Sequence, residues 1–151
     1  MKKTISGVLS TFILFVSLAV AADEDRILGS WNTPENDSKI EIFKYGDKYC
    51  GRIAWLKEPY YPADDDGGMA GRPIVDRNNP NPHFRTRPLV GLQIMEGFIY
   101  IGKNVWAKGT IYSPRAGKSY QCQMTLSAPN RLEVRGFIGI PLLGGTSIWT
   151  R

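Results

Sequence analysis

Hydrophobic and polar residues alternate along much of the second half of the chain. Between 118 and 126 every second position is hydrophobic, at Tyr120, Cys122, Met124 and Leu126. Because successive side chains of a β-strand point to opposite faces, this period of two predicts a strand with one buried face. The pattern repeats from 131 to 138, after turn-forming residues at 127–130. The two segments therefore predict a β-hairpin.

Further segments of the same kind predict more strands. They lie at 39–45, 48–56, 89–95, 106–112 and 146–151. Short strands separated by turn residues are typical of a sandwich or a barrel, and closure into a barrel removes the exposed edge strands. We therefore expect one all-β domain, an antiparallel up-and-down β-barrel of about eight strands, whose interior holds one small ligand or its own side chains.

One long segment, 57–88, interrupts the strand pattern. It contains six prolines and the run Asp64-Asp65-Asp66-Gly67-Gly68. A loop of this length in a compact domain is usually functional or disordered. The acidic run lacks the spaced ligands and the final glutamate of a calcium loop, which favours a solvated turn over a metal site.

The same loop contains the best candidate for a polar site. Its residues are Asp76, Asn78, Asn79, His83, Arg85 and Arg87. Carboxylate and amide groups beside two arginines could bind a carboxylate, a phosphate or a sugar, since a guanidinium offers a planar pair of donors. In the alternative interpretation, Asp76 and the asparagines hydrogen-bond their own turn and one arginine pairs with Asp76.

A hydrophobic segment, 138–145, joins the last two predicted strands. It could form the lip of a hydrophobic pocket, contact a membrane or a partner, or fold over the barrel end as a plug. A ligand tail inside the barrel would contact inward-facing residues. We expect these to include Tyr120, Met124, Leu132 and Val134.

The start of the chain predicts export. Lys2 and Lys3 precede a hydrophobic run, 8–20, that ends in small residues. This pattern is typical of a secretory signal peptide, which we place at residues 1–21, with the β-domain at 22–151 and the product periplasmic or secreted. The run is short for a membrane-spanning helix. The net charge of +5 includes Lys2 and Lys3 and is too mild to indicate a nucleic acid partner.

The inventory of catalytic and metal-binding groups is small. His83 is the only histidine, and no Gly-x-Ser-x-Gly sequence or clustered His/Cys set is present. A carboxylate pair such as Asp76 with Glu96 stays open. We expect neither cofactor nor metal, and binding rather than catalysis. Cys50 and Cys122 fall on opposite strand faces, which disfavours a disulfide.

Several ordered motifs carry a resemblance to known proteins. Gly29-x-Trp31 near the first strand and Trp149-Thr150-Arg151 at the end resemble the calycin signature, in which the arginine lies across the tryptophan and closes the barrel. Together with Gly51-Arg52-Ile53-x-Trp55, Asp76-x-Asn78-Asn79-Pro80, Arg85-x-Arg87-Pro88 and Gly109-x-Ile111-Tyr112, they are similar to the exported bacterial family known as domain of unknown function 2147. The resemblance implies a lipocalin-like barrel and no particular activity.

Three functional hypotheses follow. In the first, the protein is an exported envelope protein that binds a small amphipathic or hydrophobic molecule at the barrel mouth, with its polar end at Arg85 or Arg87. In the second, the barrel is plugged, and the chain is a non-catalytic interaction module that docks onto an envelope protein or a cell-wall component. In the third, it is a hydrolase acting through the long loop.

Overall fold

The computed structural model of the protein describes residues 23–151. The predicted signal peptide, residues 1–21, lies outside the described residues, so its cleavage and the export of the protein remain predictions. A long hydrophobic helix suited to crossing a membrane is not found among residues 23–151.

Eight antiparallel strands close into a barrel in sequence order. They are β1 (Gly29–Asn32), β2 (Ser38–Tyr45), β3 (Lys48–Leu56), β4 (Gln93–Tyr100), β5 (Val105–Ser113), β6 (Lys118–Ala128), β7 (Arg131–Phe137) and β8 (Gly145–Thr150). Each strand pairs with the next, and Asn32 of β1 pairs with Thr150 of β8 to close the sheet. The predicted all-β, up-and-down barrel of lipocalin-like type is thus confirmed.

The period of two identified the buried faces correctly. On β6, Cys122, Met124 and Leu126 are buried, and on β7 so are Leu132 and Val134. These side chains meet large residues from the other strands in one core inside the barrel. The largest fully buried members of that core are Trp31, Tyr49, Phe98 and Trp106.

One strand boundary was predicted wrongly. The segment 89–95 was expected as a strand, whereas β4 begins at Gln93 and continues to Tyr100. Gly97 resembles a turn residue in the sequence, but it lies inside β4 with a φ of +78°. A glycine at positive φ can form a bulge that lets the strand continue.

The packed core of the barrel combines large and small residues on neighbouring strands. Gly109 of β5 faces the ring of Phe98, and a Cβ at position 109 would lie 2.3 Å from a ring carbon. The neighbouring Lys108 has a φ of +64° and lies where the β5–β6 register shifts. The absence of a side chain at position 109 therefore gives Phe98 its place in the core.

Arg151 closes one end of the barrel, as the resemblance implied. Its guanidinium lies 4.2 Å from the centre of the Trp31 ring. It also donates hydrogen bonds to the carbonyl oxygens of Arg26, at 2.8 Å, and Leu28, at 3.0 Å. Residues 25–27 form a short 3-10 helix, and the Trp31 Nε1 donates to the Ile27 carbonyl. We call this the closed end.

Both cysteines carry free, buried thiols. Cys122 lies in the barrel core, and burial raises the pKa of its thiol to about 12. Cys50 lies on the outer face of β3, beside Gln93 and Glu96 of β4. The wall of the barrel separates the two sulfur atoms.

Candidate functional site

The opposite end of the barrel is open. The connections 33–37, 57–92, 114–117 and 138–144 gather there, because each joins strands at the end away from Arg151. Below them lies a cup of about 560 Å³, a size common for small-molecule sites. Its wall includes Ile111, Val134, Gly136, Gly145, Ser147 and Trp149, and its rim includes Thr33, Glu35, Asp37, Ser38 and Arg115.

The cup exists because the inward side chains of β7 and β8 become smaller toward the open end. The facing pairs, from the closed end upward, are Leu132 with Trp149, Val134 with Ser147, and Gly136 with Gly145. Large side chains fill the lower half of the barrel, whereas glycines and a serine leave the upper half unfilled. The Trp149 Nε1 donates to the Ser147 Oγ at 3.1 Å, so the indole at the base of the cup has a hydrogen-bond partner.

The rim is polar. Thr33 Oγ1 and Ser38 Oγ each donate to Asp37 Oδ1, at 2.9 and 3.0 Å, which orders the β1–β2 loop on one side. Arg115 lies in the β5–β6 turn on another side. Among the described residues the Arg115 guanidinium makes no salt bridge, so its donors can face a bound anion.

The long loop is folded around a buried carboxylate. Asp76 is fully buried and accepts hydrogen bonds from Tyr112 at 2.7 Å, from Asn79 at 2.8 Å and from Arg87 at 3.0 Å. Together with Asp76, these three residues form what we call the Asp76 cluster. Burial and the nearby Asp76 carboxylate raise the pKa of Tyr112 to about 12, so the phenol stays protonated and donates to Asp76.

The Asp76 cluster lies on the outer wall of the barrel. Tyr112 pairs with Ser119 next to the inward-facing pair of Ile111 and Tyr120, so the Tyr112 side chain points outward. Asn79, Arg87 and Tyr112 border a cleft of about 370 Å³ whose lining includes Phe84, Glu96 and Thr110. The cleft and the cup share no lining residue.

These contacts match the alternative in which the loop residues hold the loop itself together. Besides the salt bridge of Arg87 with Asp76, Arg85 donates to the Asn79 carbonyl at 2.7 Å. Asn78 donates to the Arg115 carbonyl at 3.0 Å and so joins the loop to the β5–β6 turn. The Asp76 carboxylate is buried and already accepts three hydrogen bonds, so it is poorly placed to take a proton from a substrate as a general base. A ligand-binding role for these loop residues stays a prediction.

The candidate residues inside the barrel divide between two levels. Val134 lines the cup, whereas Met124 and Leu132 lie lower, in the packed core. Tyr120 is half-buried. It lies beside Gly136 of the cup wall, since a Cβ added at Gly136 would be 3.7 Å from the Tyr120 Cβ. The predicted polar and hydrophobic halves of the site therefore do not line one cavity.

Sequence reasoning missed the residues of the rim and base of the cup. Trp149 was assigned only to the closing motif, although its inward position on β8 could have indicated a place in the interior. Arg115 lies in a turn, where the alternation of strands gives no information about direction. The structure brings Arg115 to the mouth because β5 and β6 end there.

The hydrophobic connection between β7 and β8 is exposed and does not plug the barrel. We call residues 138–143 the lip. Ile138 is 73% exposed, Ile140 54%, Leu142 81% and Leu143 76%.

Asp65 of the acidic turn is held by contacts within the long loop. Asp65 pairs with Arg77 at 2.8 Å and accepts from the backbone N–H groups of Gly67 and Met69. Within residues 23–151 no three His, Cys, Asp or Glu side chains come together as metal ligands. His83 is exposed on a short 3-10 helix, Pro82–Phe84.

Comparison with known proteins supports the fold and identifies the family. The barrel is similar to the solved structure of protein HP1028 from the human pathogen Helicobacter pylori, described as belonging to the lipocalin family, with a TM-score of 0.67 and 24% identity over 83% of this chain and 82% of that one. No curated protein matches the chain. The model of the family described as "Uncharacterized protein conserved in bacteria (DUF2147)" matches residues 29–151. The chain therefore belongs to this bacterial family, as its ordered motifs indicated.

Proposed function

We propose that the protein binds a small amphipathic or hydrophobic molecule in the cup. The observation that carries this proposal is the decrease in side-chain size along β7 and β8, which leaves a cup above a packed, capped base. A barrel whose only task was stability would gain by filling this space with side chains, because unfilled volume loses favourable van der Waals contacts. Sites of this kind combine hydrophobic walls with a few polar groups that orient the ligand.

The cup suggests how the molecule would lie. Its hydrophobic part would contact Ile111, Val134 and Trp149, and its polar end would reach the rim. Arg85 and Arg87 were the expected polar contacts, but both are held within the long loop. We therefore assign the polar contact to Arg115, whose guanidinium suits a carboxylate or phosphate group.

A variant that fills the cup tests this proposal. A Cβ at Gly136 would meet Tyr120 and Ile111 at ordinary contact distances of 3.7 and 3.8 Å, so the first side-chain atom of Gly136→Leu fits and the rest would occupy the cup that Gly136 lines. We expect this variant to bind a fluorescent fatty acid, cis-parinaric acid, at least about tenfold more weakly than the unmodified protein. The matched control is Thr150→Leu, because Thr150 is exposed on the outside of β8 near the closed end.

Two results would refute the proposal. One is equal affinity of Gly136→Leu and the unmodified protein for the probe. The other is native mass spectrometry of gently purified protein that shows only the mass of the empty chain, together with no probe binding. The interaction-module hypothesis assumed a plugged barrel, and the open cup offers it no support.

We also propose that the protein acts outside the cytoplasm, on the evidence of the leader at residues 1–21. N-terminal sequencing of the protein from a periplasmic or culture-medium fraction should begin at Ala22 or Asp23. Intact protein that begins at Met1 and stays with the cytoplasmic fraction would contradict export while leaving the binding proposal untouched.

A further inference from the structure

The lip combines strong exposure with a purely hydrophobic composition. Four large aliphatic side chains, those of Ile138, Ile140, Leu142 and Leu143, are each more than half exposed. The ten residues 136–145 contain no ionisable side chain. A patch of this kind is costly in water and marks a contact site on a soluble domain.

The backbone of the lip is already hydrogen-bonded. Arg135 donates to the carbonyl oxygens of Pro141, at 2.6 Å, and Leu142, at 3.2 Å, and to the Thr146 Oγ1. Within the lip, the Leu143 N–H donates to the Ile140 carbonyl at 3.2 Å, and residues 141–143 form one 3-10 turn. A segment can enter a nonpolar medium only when its backbone groups have partners, and much of this one meets that condition.

Exposed hydrophobic residues are concentrated at the open end. Among the described residues, five large exposed ones lie at that end, namely Trp55 near the end of β3 and Ile138, Ile140, Leu142 and Leu143 of the lip, whereas Tyr45 and Ile101 lie at the closed end. Trp and Tyr with aliphatic neighbours are typical of the boundary between water and lipid. The base of the lip, at Gly136, Gly145 and Thr146, is also part of the cup wall.

Charges flank the lip unequally. Because β7 pairs with β6, the β5–β6 turn lies on one side of the lip with Arg115 and Lys118. Because β8 pairs with β1, the β1–β2 loop lies on the other side with Glu35 and Asp37. An anionic surface would attract the first side and repel the second, so the barrel would tilt with the β5–β6 turn and the adjacent lip toward the surface.

We propose that the lip inserts into the surface of an anionic lipid bilayer, with the open end of the barrel against the membrane. The aliphatic side chains enter the boundary of the acyl region, while Arg115 and Lys118 meet lipid phosphates. A bilayer fits this surface, because the exposed side chains of the lip are purely aliphatic and the β5–β6 turn beside the lip carries two cations. The inference deepens the proposed function, since the cup would then exchange its ligand with the membrane.

Vesicle flotation tests the insertion without any ligand. Residues 23–151, which contain the whole closed barrel and both of its ends, are mixed with vesicles of phosphatidylcholine alone or with about 30% phosphatidylglycerol. We expect the protein to float with the anionic vesicles, and more weakly with the neutral ones. The double variant Leu142→Asp/Leu143→Asp should lose at least about tenfold in partition coefficient. The matched control, Ile101→Asp at the closed end, should bind as the unmodified protein does.

A second measurement separates this inference from the proposed function. Thermal melting and binding of cis-parinaric acid in solution should be unchanged in the double variant, since its substituted residues are exposed and lie outside the cup lining. Flotation of the double variant equal to that of the unmodified protein, or failure of the unmodified protein to float with either vesicle, overturns the inference. Failure of the unmodified protein to bind the probe, together with native mass spectra that show only the empty chain, overturns only the proposed function.

Discussion

The buried Asp76 carboxylate allows a sharp prediction about what holds the long loop on the barrel. Asp76→Asn keeps the size of the side chain but removes its charge and replaces one acceptor oxygen with an NH₂ donor. That donor would lie either in place of Oδ2, which accepts from both Arg87 and Asn79, or in place of Oδ1, which accepts from Tyr112. One donor that faces another leaves both without a partner.

The magnitude follows from burial. Breaking a buried ion pair from one side costs about 3–5 kcal/mol, but the Arg87 side chain is 40% exposed and can recover hydration. We therefore expect a loss of about 3 kcal/mol in the free energy of unfolding, which lowers Tm by about 10 °C in a domain of this size. Thermal denaturation followed by circular dichroism gives Tm, and the change in the free energy of unfolding is calculated from the shift in Tm.

Glu41→Gln provides the control. Glu41 pairs with Arg52 at 2.7 Å on the outer face of β2 and β3, and both side chains are more than a third exposed. An exposed pair contributes about 0–1 kcal/mol, so this variant should melt within a few degrees of the unmodified protein. Amide hydrogen exchange separates global from local effects, since detachment of the loop alone would expose the Asp76 N–H, which now donates to the Arg87 carbonyl. Equal Tm values and equal exchange for Asp76→Asn and Glu41→Gln would refute the reasoning.

Three further predictions concern the closed end, the core and the outer wall. Arg151→Met should lower stability by about 2–3 kcal/mol and shift the fluorescence of Trp31, because it removes hydrogen bonds to carbonyl oxygens and the contact with the indole. Gly109→Ala should destabilise by about 1–3 kcal/mol in urea denaturation, since its Cβ would overlap the Phe98 ring. The phenolate absorbance of Tyr112 should appear near pH 12, and because its pKa is raised from 10.0, stability should fall as pH rises from 10 toward 12.

Each of these predictions has a matched comparison. Arg131→Met removes an exposed arginine of β7 and should leave the fluorescence of Trp31 unchanged. Gly145→Ala adds a Cβ that meets no atom within 4 Å, so a loss equal to that of Gly109→Ala would argue against steric overlap as the cause. Subtraction of the Tyr112→Phe titration isolates the phenol, and a difference that appears near pH 10 would contradict the effect of burial.

The strands were predictable because their information is local. On β6 and β7 the alternation of side chains identified the starts of the strands and their inward faces, since the pleat makes every second residue face the core. Their ends differ from the prediction, because β6 continues to Ala128 and β7 stops at Phe137, before the exposed Ile138. The prediction failed at β4, where Gly97 has the sequence character of a turn and the structural role of a bulge. Sequence alternation cannot distinguish the two, because a bulge depends on the partner strand.

The candidate site was predictable only in part. The sequence singled out Asp76, Asn79 and Arg87, and the structure brings these three together around one carboxylate. It could not show that Tyr112 completes the cluster, because that contact crosses from a loop to the outer face of a distant strand. Nor could it show that the cluster and the cup lie on opposite sides of the barrel wall.

The sequence by itself determined the all-β class and the hairpins, and the resemblance to the calycin signature implied the closing contact of Arg151 with Trp31. The strand features depend on the period of the side chains, and the closing contact depends on the stacking of a guanidinium on an indole. Only the tertiary structure decided where the barrel is filled and where it is open, because the pairing of Gly136 with Gly145 and of Val134 with Ser147 is set by register across strands. Volume is a property of facing pairs, and a single strand's sequence does not contain its partner.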